Sequence, residues 1–125
     1  MSAIRGIGHD LIEIDRIEKV HKEHGDRFLE RIFTTEEIKY CLTHRDPYPS
    51  LAARFAAKEA VSKAIGTGIG REVNWKDIEV RREASGKPII VLSRALQAKF
   101  PDTDVLLTLS HTKTVASAFA VLIQN

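Results

Sequence analysis

Arg54-Phe-Ala-Ala-Lys58-Glu59-Ala-Val-Ser-Lys63-Ala-Ile-Gly66-Thr-Gly68-Ile-Gly70 is the stretch on which the fold turns. It reads as an alanine-rich helix with one carboxylate and several cations, ended by a glycine-rich loop. At about 100° per residue, Ala53, Ala57, Ala60 and Ala64 form one ridge. Glu59 and Lys63 lie beside that ridge, and Arg54 and Lys58 lie on its other flank. A ridge of methyl groups lets a second backbone come close, which predicts charges at a packed seam, facing a ligand instead of bulk water. The plain alternative is a surface ion pair. Glu59 four residues before Lys63 is the favourable order for one, worth roughly 0.2–0.5 kcal/mol.

Working outward, the chain has 125 residues, 43% hydrophobic and 29% charged, which fits one soluble domain over 1–125. A net charge of +2 is too small to imply nonspecific nucleic-acid binding. Met-Ser-Ala-Ile-Arg-Gly at the start lacks the apolar core of a signal peptide. The longest apolar run, Val115 to Ile123, is too short to cross a bilayer. Cys41 is the only cysteine, so no intrachain disulfide can form and a reducing, cytoplasmic setting fits.

The first half reads as mostly helical. Ile4 to Gly8 is a short strand running into His9-Asp10, and Ile14, Ile17 and His24 keep helical spacing up to Gly25. Phe28, Leu29, Ile32 and Phe33 make a second helix. Thr34-Thr-Glu-Glu37 has the form of a capping box and opens a third helix through about His44. Asp46-Pro-Tyr-Pro49 breaks it, and Ser50 is read as the cap of the central helix. The second half alternates instead. Ile78 to Arg82 and Pro88 to Leu92 form a hairpin about Ser85-Gly86-Lys87. A short helix runs from Ser93 to Phe100, and strands at Val105–Ser110 and Val115–Ile123 flank His111-Thr-Lys-Thr114. Helices first and hairpin strands later predict an α+β fold in which an antiparallel sheet packs against helices.

Three constellations could carry chemistry. In Gly6-Ile-Gly8-His-Asp10, alternate strand residues share a face, so Gly6, Gly8 and Asp10 align. Two glycines beside a carboxylate would leave room for a bulky ligand or a hydrated ion. The alternative is a bulge or turn after which Asp10 begins an exposed connection. His9 would point to the opposite face, against a His9–Asp10 metal pair, and Asp15 reads as the next helix cap.

The central helix supplies the second constellation. Asp10 and Glu59, as lone carboxylates, suit Mg²⁺, which takes oxygen ligands and is often held by one or two carboxylates plus substrate phosphates. No cysteine–histidine spacing supports zinc. Gly66-Thr-Gly68-Ile-Gly70 follows a helix and is trailed by Arg71-Glu72, so it is neither a dinucleotide fingerprint nor a P-loop; Gly66 reads as a helix C-cap. Ser110-His111-Thr-Lys113 is the third. Adjacent strand residues face opposite ways, so Ser110 and His111 do not form a nucleophile–base pair. The group suits an anion such as phosphate; a polar hairpin turn is the alternative.

Taken in order, Gly6-Ile-Gly-His-Asp10-Leu-Ile-Glu-Ile-Asp-Arg16-Ile, Arg54-Phe-Ala-Ala-Lys58-Glu59-Ala-Val-Ser-Lys63-Ala, Gly66-Thr-Gly68-Ile, Gly86-Lys-Pro88 and Leu109-Ser-His111-Thr resemble a known set of motifs. The family is the holo-acyl-carrier-protein synthases, the small bacterial class of 4′-phosphopantetheinyl transferases, and the likeness runs nearly end to end. It implies the fold of that family and a homotrimer with active sites between subunits. It implies transfer of 4′-phosphopantetheine from coenzyme A to a serine of acyl carrier protein, releasing adenosine 3′,5′-bisphosphate, for fatty acid biosynthesis. By resemblance, Asp10 and Glu59 are Mg²⁺ ligands, Glu59 helps remove the serine proton, and Lys63 neutralises or protonates the departing phosphate. Arg54 and His111 match positions that hold the phosphates of coenzyme A, and Gly66 and Pro88 line its cleft. Arg16 and Arg27 match carrier-protein-binding positions. His9 departs from the family, which usually has an apolar residue there.

Two rival readings make different predictions. A noncatalytic RNA- or phosphate-binding module would use Arg54, Lys58, Lys63 and Arg71 and bind nucleic acid in a salt-sensitive way. An oligomeric structural protein would use the alanine ridge only to pack helices.

Overall fold

The computed structural model describes residues 2–125. One long strand, β1 (Ala3–Glu13), leads into α1 (Ile14–His24), α2 (Asp26–Ile32), α3 (Thr35–Leu42) and the central α4 (Tyr48–Ile65). A 3-10 turn at Trp75–Asp77 feeds the hairpin β2 (Ile78–Arg82) and β3 (Pro88–Leu92). Then come α5 (Arg94–Lys99), β4 (Thr103–His111) and β5 (Val115–Gln124). The strands form two antiparallel sheets, one in the order β1-β5-β4 and one pairing β2 with β3. The expected α+β architecture is the one found.

α4 is the axle. It is wrapped by α1 and α3, lies across β1 and β5, and touches β2. Its alanines Ala52, Ala53, Ala56, Ala57, Ala60 and Ala64 are buried, as are Ala116, Ala118 and Ala120 of β5. Small residues on both sides let helix and sheet approach closely, and the core is completed by Ile12, Ile17, Leu29, Phe33, Leu51 and Ile78.

Gly6 and Gly8 belong to this contact and do not open a ligand space. A Cβ on Gly8 would stand 1.8 Å from the Ala60 carbonyl oxygen, and one on Gly6 would stand 2.0 Å from that of Ala64. The helix backbone therefore fills the volume that the two glycines vacate. β1 also continues to Glu13, so Asp10 sits within the strand opposite Ala118 and does not begin a connection.

Two expected caps differ. The N-cap of α1 is Glu13, with Asp15 in the first turn instead of at the cap. α4 starts at Tyr48 with proline in its first turn, so Ser50 lies inside the helix, and the preceding turn is held by Asp46 Oδ1 accepting from Tyr48 N at 3.1 Å. Prolines suit the first helical turn because their missing N–H has no partner there. The capping box does form: Thr34 Oγ1 accepts from Glu37 N at 3.2 Å, and Thr34 N donates to Glu37 Oε1 at 2.9 Å.

Candidate active site

The glycine–alanine seam sets the position of Asp10. Two residues beyond Gly8 on the same strand face, it meets the flank of α4 that carries Glu59 and Lys63. Lys63 Nζ donates to Asp10 Oδ1 at 3.1 Å and to the His9 carbonyl oxygen at 3.1 Å. The Asp10 side chain is 17% exposed and that of Lys63 is 50% exposed, so the cluster is sheltered on the strand side and open outward. Burial first, and the negative charge of Asp10 second, push the Glu59 carboxyl above the ordinary carboxylate range; Lys63 opposes both. The negative charge of Asp10 is thus felt at Glu59, and Lys63, bonded to Asp10, offsets it in part.

That donor set fits Mg²⁺. The ion prefers hard oxygen ligands and keeps open positions for water or substrate phosphates. Among the described residues no group of three or more His, Cys, Asp or Glu side chains gathers anywhere, so a protein-only cage of the zinc kind is not offered.

The other flank of α4 is built differently. Lys58 is fully buried. Its Nζ pairs with Glu37 Oε1 at 2.7 Å and donates to the carbonyl oxygens of Trp75 at 3.0 Å and Ile78 at 2.6 Å. Glu37 Oε2 in turn accepts from Val80 N at 2.8 Å. Burial lowers the proton affinity of Lys58 while Glu37 restores part of it. This is a fully satisfied strut tying α3, α4 and β2 together, and all three ammonium donors face protein. Arg54 is likewise buried, its guanidinium stacked 4.4 Å from the centre of the Tyr40 ring. Of the two flanks expected to face a ligand seam, the one with Glu59 and Lys63 lies open to the outside, whereas Lys58 on the other is enclosed by protein.

Glu59 also lines a groove of about 790 Å³ whose walls include Arg31, Ile69, Trp75 and Lys76. Arg31 reaches a second groove as well, between α1 and α2, with Val20, Glu23, His24, Arg27 and Phe28. Arg31 was not singled out from sequence; its spacing of one turn after Arg27 was the available signal. Arg16 and Arg27 are both exposed, on α1 and α2.

A scan against family models matches residues 6–120 to the 4′-phosphopantetheinyl transferase superfamily. The holo-(acyl-carrier-protein) synthase of Chlamydia trachomatis serovar L2 is 53% identical over 116 residues, 93% of this chain and 97% of that relative. The chain belongs to that family. Among solved structures, a Bacillus anthracis holo-(acyl-carrier-protein) synthase in complex with CoA (3′,5′-ADP) matches with a TM-score of 0.85 and 44% identity, covering 98% of each chain. The Helicobacter pylori synthase in complex with coenzyme A matches with a TM-score of 0.86 and 37% identity, covering 93% of this chain and 98% of that one.

The remaining family positions are spread over the surface. Gly66 caps α4 in the left-handed conformation at φ 101°. Pro88 opens β3 directly opposite Arg82. His111 ends β4 opposite Ala116, whose other neighbour is Ile12, so β5 separates it from β1. At two strand spacings that is about 10 Å from β1. Its Nδ1 lies 3.2 Å from the Thr112 carbonyl oxygen, and Thr112 Oγ1 accepts from Thr114 N and Val115 N at 3.2 and 3.1 Å. The polar hairpin turn forms, and it leaves His111 exposed at the strand end. Ser110, opposite Ser117, shares the outer face with His9, whose Nε2 is 3.0 Å from Ser117 Oγ.

Proposed function

We propose that this chain transfers 4′-phosphopantetheine from coenzyme A to a serine of apo-acyl carrier protein with Mg²⁺ present, giving the holo-carrier and adenosine 3′,5′-bisphosphate. The observation that carries this reading is the convergence of Asp10, Glu59 and Lys63 at one sheltered but open point, in a chain of this family. Phosphoryl transfer asks the protein for alignment and charge neutralisation more than for covalent chemistry.

Asp10 and Glu59 would hold the ion, which when bound polarises the diphosphate and offsets its charge. The raised proton affinity of Glu59 suits it to take the hydroxyl proton of the incoming serine. As the serine oxygen forms its bond to phosphorus, the bridging P–O bond breaks and its electron pair leaves with the nucleotide. Lys63, fixed by Asp10 and the His9 carbonyl, neutralises or protonates that leaving oxygen. Arg54 and His111 would hold coenzyme A phosphates, with Gly66 and Pro88 lining the cleft. Arg16 and Arg27, with Arg31 leading toward the Glu59 groove, would receive an acidic carrier protein.

We also propose the homotrimer. The outer face of the β1-β5-β4 sheet exposes four large apolar side chains, Ile7, Leu11, Leu106 and Phe119, the kind of grouping that marks a contact surface. Burial of that face against further copies would also bring the scattered positions of neighbouring chains together. A cytoplasmic setting agrees with the single buried cysteine, whose thiol burial pushes up to about 11 and so keeps un-ionised. No helix among the described residues is long and apolar enough to cross a membrane.

The test is mass spectrometry of apo-carrier protein incubated with purified enzyme, coenzyme A and Mg²⁺. One phosphopantetheine added at one serine is expected; an unchanged carrier mass refutes the reading.

A further inference from the structure

Helix α1 is fastened to the rest of the fold unevenly. Its first half is locked, with Ile14 and Ile17 buried and Ile14 N donating to the Thr114 carbonyl oxygen at 2.9 Å. From Glu18 to His24 no residue is buried. Ile14, Ile17 and His21 share one face, within about 60° of one another around the helix. His21 thus takes the inward position where a third apolar side chain would continue the stripe. Its Nδ1 lies 2.9 Å from the Tyr48 hydroxyl, with the two rings 5.7 Å apart and tilted by 56°. Among the described residues this is the only side-chain hydrogen bond or ion pair from α1 to another element.

Both ends of the bond are themselves held. Tyr48 stands in the first turn of α4 between Pro47 and Pro49, which stiffen the backbone there. Its N–H donates to Asp46 Oδ1 at 3.1 Å. The His21 carbonyl oxygen accepts from Gly25 N at 2.7 Å, at the positive-φ turn (66°) that sends the chain into α2. Val20, Glu23, His24, Arg27, Phe28 and Arg31, on either side of that turn, line the groove between α1 and α2. The free half of α1 and the start of α2 are therefore tied to α4 through one side-chain bond. An apolar residue at position 21 would slide over its neighbours at little cost, because hydrophobic contact has no direction. A hydrogen bond holds both distance and angle.

We propose that His21 and Tyr48 are positioning residues for the carrier protein. Their bond sets the α1–α2 docking surface against α4, and so against Glu59, without either side chain touching substrate. This rests on the carrier reading above, in which Arg16 and Arg27 belong to that surface.

Two measurements on the full chain test it. The first follows transfer with apo-acyl carrier protein varied at saturating coenzyme A, then with coenzyme A varied at saturating carrier. It compares wild type, Tyr48→Phe, His21→Leu and His21→Asn. Tyr48→Phe keeps the ring and removes only the hydroxyl, while His21→Leu keeps the stripe apolar. Both should raise KM for the carrier roughly three- to tenfold, the worth of one hydrogen bond, and leave kcat and KM for coenzyme A within about twofold. His21→Asn, which can place a polar atom near the Nδ1 position, should recover part of the loss. Equal losses for both substrates, as a merely structural role would give, or an unchanged carrier KM, overturn the proposal.

The second measurement is calorimetric titration of apo-acyl carrier protein and needs no turnover. Tyr48→Phe should weaken binding by the same factor as it raises KM. A wild type that binds carrier, loses affinity in Tyr48→Phe, and yet transfers nothing would sink the transferase reading and keep the positioning pair. A wild type that transfers, with Tyr48→Phe binding carrier just as tightly, would sink the pair alone. Neither binding nor transfer by wild type would overturn both.

Discussion

The two flanks of α4 carry the same kinds of residue and put them to opposite uses. On one, Lys58 is entirely enclosed by Glu37 and two backbone carbonyls, and holds three elements in register. On the other, Lys63 is half exposed, touches Asp10, and opens outward from the sheltered carboxylates. One turn and a third separates the two ammonium groups in the chain. The difference comes from what faces each flank: α3 and β2 enclose the first, while β1, brought close by two glycines, shelters only the base of the second. Charge type alone does not distinguish a buried strut from a group left open at a cleft.

Replacing each lysine by methionine is the sharpest way to break that comparison. Lys58→Met leaves the Glu37 carboxylate buried without its partner, and should cost about 3–5 kcal/mol of unfolding free energy, read by urea denaturation. Adding Glu37→Leu should recover part of the loss, though Val80 N and Thr34 N then lack their acceptor. A loss below about 1 kcal/mol for the single variant, as for an exposed pair, would show that Lys58 is no strut.

Gly8→Ala tests the seam that aligns the second flank. A methyl group 1.8 Å from the Ala60 carbonyl must push β1 off α4, so a loss of about 3 kcal/mol is expected. Turnover by the fraction that remains folded should fall as well, because Asp10 moves with the strand. Unchanged stability and turnover would mean that the seam does not set the site.

Lys63→Met should slow transfer about a hundredfold, with little change in denaturation midpoint, because its ion pair is half exposed. The loss should fall on kcat more than on coenzyme A affinity; equal losses in both would contradict a role in the transition state.

The smallest effect is on pH dependence. A carboxyl whose proton affinity is raised by folding destabilises the native state once it ionises, since the folded chain holds that proton more tightly than the unfolded one. Glu59→Gln removes that cost, so the metal-free variant should be more stable than wild type at neutral pH. The gain should shrink as pH falls through the folded Glu59 value, and vanish below the ordinary glutamate value of about 4.3. A gain that grows in acid would contradict the direction assigned to Glu59.

Local signals were the legible ones. The Thr34–Glu37 box, the glycine ends of α1 and α4, the β2–β3 turn and the alanine ridge all depend on neighbours a few residues apart, and each is found where sequence places it. The motifs that bring Asp10, Glu59 and Lys63 together were legible through family likeness. What was hidden depends on distant partners. Glu37 reads as a cap, and its second role appears only when Lys58 and Val80 arrive from elsewhere in the chain. Gly6 and Gly8 read as space because nothing local says that a helix carbonyl occupies it. The caps expected at Asp15 and Ser50 fall instead at Glu13 and Pro47, less than one turn earlier, because β1 and the proline pair start their helices earlier than a polar side chain would.

Calorimetric titration of Mg²⁺ into the coenzyme A-saturated protein, for wild type, Asp10→Asn and Glu59→Gln, confronts the paired-carboxylate claim head on. The account predicts one ion per chain in wild type, and affinity lowered at least about tenfold in each variant. Wild-type affinity retained in both variants would show that these two side chains do not share a metal.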